Sequence, residues 1–450
     1  MTAKNRKMAL AVLPSGPPFA WRYPKAEAEG RMDVELYQHL ARTAERGKFD
    51  IFFLADGYSV REDRIGLAGM KGFSAVHFEA LTLLSALAMV TNRIGLVATV
   101  STTYNEPYNV ARKFASLDYI SRGRAGWNII TSSQDAEALN FGLDSQIDNA
   151  TRYERAREFL EVVCRLWDSW DDEAIVCDRT TGTYFDPDRV HRLNYEGKHF
   201  KVRGPLNLPR PIQGHPLLCQ AGASETGWEF AAQTADVMYG KAISLSEAKR
   251  FYAGVKGKMA KYGRSPDELK ILPGLVPIVG HTEKEAWEKF RAVQDCLTPE
   301  EGNAMLTHIV PNIDFSRFDF DQPIPDLPEI NQAAIRFRIF LERDGQRLTV
   351  RELLDNVSAG IGHLRLIGTP DQLAETLIHW VNENGADGFN LMPHYLPGGL
   401  EDFVDFVVPE LQERNAFRTE YEGGTLRENL GLPRPASRFA SGSEMELASL

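Results

Sequence analysis

Residues 116–142 read SLDYISRGRAGWNIITSSQDAEALNFG. Ala115, Leu117, Tyr119 and Ile120 close an amphipathic helix, a charged turn with one glycine runs from Ser121 to Arg124, and Ala125 to Ile130 is a short apolar run carrying a single amide, Asn128. Thr131 to Asp135 then form a polar cluster. Helix, tight turn, buried strand and polar strand end make one αβ unit of a parallel sheet. In α/β folds the chemistry gathers beyond the carboxyl ends of the strands, which directs attention to Asn128 and Thr131.

The same alternation extends in both directions. Strands are expected at Met8–Leu13, Asp50–Leu54, Ile94–Val100, Pro216–Gln220, Asp236–Tyr239, Ile271–Val279 and Gly388–Met392, separated by helical periodicities such as Val34, Tyr37, Leu40, Ala41 and Ala44. Eight strands alternating with helices predict a (β/α)8 TIM barrel. A doubly wound sheet is the alternative, but no GxGxxG follows the first strand. The alternation breaks at about 168–213 and 297–367, read as two large insertions, the second with helical pieces near 333–341. A polar C-terminal tail is expected from Gly423, so the chain reads as a single barrel domain spanning 1–450. Insertions on a barrel commonly wall or cover its catalytic face.

The bulk composition excludes several classes. With 43% hydrophobic and 25% charged residues the chain is ordinary globular material. A net charge of −11 without a basic stripe argues against nucleic acid. The four cysteines, Cys164, Cys177, Cys219 and Cys296, are scattered, which suits a reduced, cytoplasmic protein. The opening MTAKNRKMALAVLPSG has too short an apolar run for a signal peptide. Leu81–Val90, the longest apolar stretch, is far short of the roughly 20 residues of a membrane span. No GxSxG, HExxH, GxxxxGK[ST] or CxxC occurs, and the ten histidines are dispersed, so neither a hydrolase nor a metal centre is favoured.

Several positions remain as candidates, each beside a blander reading. Ala221-Gly222-Ala223-Ser224 joins the fifth strand to a helix; small residues and free amides there suit a phosphate, or Ser224 is an ordinary N-cap. Asn149 and Tyr153 share a helix face, and Tyr153 either offers its hydroxyl to a phosphate or packs as core. Asp56 and Thr102 end apolar strands, as site residues or as strand-end caps. Asn128 needs a partner inside an apolar strand, either a ligand or a neighbouring group, because an unmade buried hydrogen bond costs about 1–3 kcal/mol. Trp21 and Phe53 offer flat walls or plain core. Arg122 and Arg124 bind anions or are simply solvated turn residues.

The stretch SLDYISRGRAGWNIITS, followed by NFG and RYERAREFLEVVCRLWDSW, closely resembles one branch of the bacterial-luciferase-like flavin monooxygenases, the branch of nitrilotriacetate, dibenzothiophene-sulfone and long-chain alkane monooxygenases. The resemblance continues through QAGAS, AAQTAD, DGFNL, LPGGLEDFVDFVVPELQ and FRTEYEGGTLRENLGL, nearly the whole chain. It implies a barrel that takes reduced FMN (FMNH2) from a separate NAD(P)H-dependent flavin reductase. O2 then adds to the flavin, and the peroxyflavin inserts one oxygen atom into a small xenobiotic, organosulfur or amine-type substrate. Carried over by position, Asp56 and Thr102 match flavin contacts, Tyr153 and Ser224, with Ala223, match the phosphate side, and Asn128 and Thr131 lie near the isoalloxazine. The branch often reads His-x-x-Arg-Tyr where this chain has Asn149-Ala-Thr-Arg152-Tyr153, and Asn149 can donate a hydrogen bond but carries no charge. His308, in the second insertion, acts on the substrate or the peroxide proton, or is a surface histidine. The resemblance also suggests a homodimer or homotetramer. A deazaflavin-dependent oxidoreductase and a non-catalytic flavin-binding protein are the competing readings on the same barrel.

Overall fold

The computed structural model describes residues 6–28, 32–60, 76–222, 224–309, 313–325, 342–343, 346–358, 360 and 362–439. Eight parallel strands close a barrel: β1 Ala9–Val12, β2 Ile51–Leu54, β3 Gly95–Ser101, β4 Ala125–Ile130, β5 Leu217–Ala221, β6 Val237–Gly240, β7 Lys270–Val279 and β8 Gly388–Leu391. Each pairs with its neighbour in sequence, except that β8 also closes the ring on β1, with Ala9 opposite Gly388. All eight are the strands expected from the apolar runs. Those runs are continuous rather than alternating because the strands are buried on both faces, with helices outside and packed side chains within.

The helices that surround the barrel are α1 Val34–Arg46, α2 Ala80–Ala88, α3 Pro107–Ser121, α4 Asn149–Trp167, α5 Glu225–Thr234, α6 Leu245–Met259, α7 Glu283–Gln294 and α8 Pro370–Asn382, with a last helical stretch over residues 398–413. Their starts are written in the sequence. Asp33, Asp148, Ser224, Ser244, Thr282 and Thr369 each accept a backbone N–H of the first turn, as N-caps do. α2 is started by Glu79, which accepts from the Leu81 and Thr82 amides.

β4 shows how one strand serves both layers. Trp127 points outward, with Phe114 of α3 at 5.7 Å and Phe159 of α4 at 5.9 Å between ring centres. Gly126 and Asn128 therefore point into the barrel. A Cβ on Gly126 would lie 2.8 Å from Val97 Cγ2, so the inward position is fitted for no side chain at all.

Three features depart from the sequence expectation. A ninth parallel strand, Leu364–Gly368, pairs with the outer half of β7 from Leu275 to Val279, just where the second irregular region was taken to end. Residues 168–213 fold into two small hairpins, Ile175–Asp178 with Thr183–Phe185 and Tyr195–Glu196 with Lys201–Val202; residues 333–341 lie outside the described residues. The polar tail is in part a plug: Leu426, Leu430 and Leu432 pack against Ile51, Val97, Leu217, Val237 and Leu272 at the amino end of the barrel. Thr425 and Glu428 form a capping box for that short helix.

Arg124 is also corrected. It is neither solvated nor free to bind an anion: it is 2% exposed and donates to Ser121 O, Thr91 Oγ1, Ile94 O, Ala88 O and Thr91 O. Burial lowers its pKa to about 10, still charged at neutral pH. The guanidinium ties the end of α2 to the amino ends of β3 and β4. Arg122 caps α3 in the left-handed region, φ 58°, with its side chain exposed.

A second buried cluster joins α4 to β5. His215 Nε2 lies 2.9 Å from Asp168 Oδ1, and Arg210 Nε donates to the same oxygen at 3.1 Å. Burial disfavours the imidazolium, but Asp168 outweighs it and the His215 pKa rises to about 9. A raised histidine stabilises the fold fully below its unfolded value, roughly 6.5, and that contribution is lost as pH rises through about 9. The melting temperature is expected to fall between pH 7 and 9.5, and His215→Gln should flatten that slope. A wild-type melting temperature constant across this window would refute the ion pair.

Candidate functional site

The carboxyl ends of the strands open into a cavity of about 530 Å³. Ser15 and Gly16 follow β1, Ala55 and Asp56 follow β2, Lys241 follows β6, and Met392 and Pro393 follow β8. Val276 of β7, Met305, Val357, Ser358, Gly360 and His363 of the 297–367 region, and His77 and Glu137 on the opposite side also line it.

Asp56, expected from sequence, lines this cavity. Its Oδ1 accepts the Gly57 amide at 2.7 Å and its Oδ2 the Ala80 amide at 3.0 Å, while His77 Nδ1 stands 3.5 Å away. Burial pushes its pKa up and the two amides oppose that, leaving it raised. Thr102 does not reach the cavity: it is buried and donates through Oγ1 to Ile130 O at 3.3 Å, tying β3 to β4. Thr131 accepts at Oγ1 from Arg152 at 3.3 Å and at its carbonyl from Thr103 Oγ1 at 2.7 Å.

Asn128 lies inside the barrel, 3% exposed. Its Nδ2 donates to Thr99 Oγ1 at 2.9 Å, and its Oδ1 is buried with no partner. Two further interior atoms share that condition, Tyr239 Oη and Asn390 Oδ1. Phe53 stacks on Tyr239 with ring centres 4.5 Å apart, so it belongs to the interior packing. Trp21 lines a small separate hollow beside Leu36 and Tyr395.

Tyr153 and Ser224 are brought together across α4 and α5. A Cβ built on Gly227 would lie 3.2 Å from Ser224 Oγ and 3.4 Å from Tyr153 Oη, with Gly222 Cα at 3.8 Å. Two glycines thus leave a cradle at the amino end of α5, rimmed by two hydroxyls. Ser224 Oγ accepts the Gly227 amide at 3.1 Å as the N-cap, and the positive end of the helix dipole faces the same space. Ala223 lies outside the described residues. Asn149 does not join them: it is exposed and accepts from Arg152 Nη2 at 3.3 Å, and Arg152 in turn reaches the Thr131–Ser132 backbone. The asparagine at this position therefore orients an arginine that fixes the end of β4. His308 falls on the helix Pro299–Ile309, and its side chain lies outside the described residues.

Sequence reasoning missed Lys241, His363 and Glu137. Glu137 is buried and its carboxylate accepts from the Tyr58, Ser133 and Gln134 amides and from Ser132 Oγ, binding the loops after β2 and β4 together. The QxxE spacing of Gln134 and Glu137 was a readable capping-box signal. Among the described residues, no group of three His, Cys, Asp or Glu side chains is arranged to hold a metal ion.

Comparison with known proteins agrees with the barrel. The family model described as luciferase-like monooxygenase matches residues 19–388. Nitrilotriacetate monooxygenase component A of Aminobacter aminovorans is 49% identical over 431 residues, 94% of this chain and 95% of its own length. N-acetyl-S-(2-succino)cysteine monooxygenase of Bacillus subtilis (strain 168) is 44% identical over 450 residues, 98% of this chain and 100% of its own length. The crystal structure of a riboflavin lyase with modified FMN and riboflavin superposes with a TM-score of 0.82 at 28% identity, covering 95% of this chain and 97% of that one. The chain belongs to the luciferase-like monooxygenases, as the sequence resemblance led one to expect. It is a flavin-dependent monooxygenase.

Proposed function

We propose that this protein is the oxygenase of a two-component system. It takes reduced FMN from a separate NAD(P)H-dependent flavin reductase and uses O2 to oxygenate a small amine-type or organosulfur compound. The observation that carries this reading is the cradle between Tyr153, Ser224, Gly222 and Gly227, whose two hydroxyls and helix amino end suit the phosphate of a bound cofactor. The unpartnered interior amide oxygens of Asn128 and Asn390 support it, since the N–H edge of a heteroaromatic ring would satisfy such acceptors. Two relatives are named for nitrilotriacetate, an amine, and N-acetyl-S-(2-succino)cysteine, a thioether. The first is also named as component A.

Bound reduced flavin would supply the two electrons that activate O2. The chain's own residues do the rest. Tyr153 and Ser224 would hold the phosphate end, Asn128 would offer its free amide oxygen to the ring system, and Asp56 braces the β2 loop through the Gly57 and Ala80 amides. The irregular regions at about 168–213 and 297–367 are proposed as walls that exclude water. Among the described residues no helix is long and apolar enough to cross a membrane, and a cytoplasmic location and a homodimer or homotetramer belong to the same proposal.

The test is reconstitution with a generic flavin reductase, NADH, FMN and a panel of amines and thioethers. Oxygenated product in the complete mixture, and none without reductase, is the expected result. Turnover with reduced deazaflavin alone, or tight flavin binding without coupled product, would overturn it.

Asn128→Leu separates cofactor from fold. The change removes a buried acceptor that has no partner but also the Nδ2 donor to Thr99 Oγ1; the two effects oppose each other, so the apo protein should stay within about 1.5 kcal/mol of wild-type stability. Flavin affinity should nonetheless fall by about tenfold, one hydrogen bond's worth. Calorimetry of the apo form and fluorescence quenching by FMN check the two halves; a large loss of apo stability would show that the amide serves the fold.

A further inference from the structure

The polar groups lining the cavity are unevenly employed. On the β2–β4 side both carboxylates are engaged: Asp56 accepts two backbone amides beside His77, and Glu137 accepts three amides and a hydroxyl. On the β6–β7 side the situation is reversed. Lys241, open to the cavity, forms no ion pair or hydrogen bond among the described residues. Burial alone lowers its pKa, and no carboxylate opposes the shift. Beside it, a Cβ on Gly362 would lie 3.5 Å from Lys241 Cδ, which places the lysine stem against the backbone that carries His363.

His363 has a built seat. Its ring fills the space left by the absent side chain of Gly274 in β7, where a Cβ would come within 2.1 Å of Nδ1. That Nδ1 is buried without a partner. Burial first, and Lys241 second, lower the His363 pKa to about 4, so the ring is neutral at pH 7 and offers one N–H. A cation and a neutral imidazole, with no acid paired to either among the described residues, make a donor-rich wall in a chain whose net charge is −11. The missing component is an anion. A planar carboxylate matches it: one oxygen for the ammonium, and one for an N–H on the ring nitrogen that does not face Gly274.

We propose that Lys241 and His363 form the subsite that holds a carboxylate of the substrate against the β6–β7 wall of the cavity. The proposal rests on the oxygenase reading above and deepens it, narrowing the substrate to an amine or thioether that carries carboxylates. The two residues determine specificity and position the heteroatom; they do not take part in the oxygen chemistry.

The test uses the full chain loaded with FMN, titrated calorimetrically with acetate, succinate and nitrilotriacetate and with the neutral triamide of nitrilotriacetate. Affinity is expected to rise with the number of carboxylates, and the triamide should not bind. Lys241→Met should weaken nitrilotriacetate at least tenfold, Lys241→Arg should restore most of it, and FMN affinity should change less than twofold in either variant. Gly274→Ala, which displaces the His363 ring, should weaken nitrilotriacetate as well; if it fails to fold, His363→Phe keeps the ring volume and removes the N–H. Absence of binding by every carboxylate would overturn the proposal, as would equal affinity in wild type and Lys241→Met. A parallel loss of FMN affinity in Lys241→Met would assign the lysine to the flavin instead. Failure of the wild type to bind FMN at all would sink the oxygenase reading itself, which is a separate result.

Discussion

Gly388→Ala should leave the chain unable to close its barrel. Gly388 opens β8 and lies opposite Ala9 of β1, at the seam where the last strand meets the first. A Cβ there would stand 1.8 Å from Ala9 O and 2.6 Å from Ala9 C and N. Crowding between side chains in a packed core typically costs about 1–3 kcal/mol because rotamers can move. Here every clashing atom is backbone, held in the β1–β8 ladder, so no rotamer change relieves it. Relief requires the two strands to separate, which breaks the ladder from Ala9–Gly388 through Val12–Leu391. The expected loss is about 4 kcal/mol or more, in the range reserved for outright structural incompatibility. Urea unfolding followed by circular dichroism would show it, or soluble protein would be absent. Ala9→Gly in the same chain should not rescue the variant, because the obstacle is a carbonyl and not a methyl. A Gly388→Ala protein with the wild-type unfolding midpoint would disprove the assigned seam.

The barrel was legible because its strands are written as unbroken apolar runs between capped helices, a pattern the double burial of a parallel sheet imposes locally. β4 illustrates this: AGWNII carries an outward Trp, an inward Gly and an inward amide in an order that only a strand between two layers satisfies. The places of the candidate residues Asp56, Tyr153 and Ser224, at strand ends and helix starts, were legible for the same reason, since they follow from the elements that carry them. What escaped depends on contacts between distant segments. His363 matters because Gly274, 89 positions earlier in the chain, leaves room for its ring, and nothing near either residue announces the other. Arg124 reads as a charged turn residue until α2 brings the Ala88 and Thr91 carbonyls to it. The plug at the barrel's amino end did leave a trace, the Thr425–Glu428 capping box with Leu426 and Leu430 four apart, but its apolar content is diluted by Arg427, whose guanidinium donates to Asp236.

Gly227→Val is expected to remove FMN binding while sparing the fold. The residue sits buried in the first turn of α5, where valine is no worse a helix former than glycine; crowding against two side-chain hydroxyls should cost about 1–3 kcal/mol, which leaves the apo protein folded. The first added carbon would already stand 3.2 Å from Ser224 Oγ and 3.4 Å from Tyr153 Oη, and the two methyls beyond it would occupy the cradle itself. Both hydroxyls then lose a phosphate oxygen. Hydrogen bonds to charged groups contribute about 1.5–3 kcal/mol each, so the pair amounts to at least about 3 kcal/mol, more than a hundredfold in affinity. Riboflavin supplies the control, because it has the same ring system and no phosphate. Its affinity should be nearly the same in Gly227→Val as in wild type, whereas FMN should fall to the level of riboflavin. Ser224→Ala should give a smaller version of the same split, about 1–2 kcal/mol on FMN alone. If fluorescence quenching showed riboflavin and FMN weakened equally, the valine would be acting on the ring site. If it showed neither weakened, the phosphate would lie elsewhere and the cradle would be nothing more than the space between two helices.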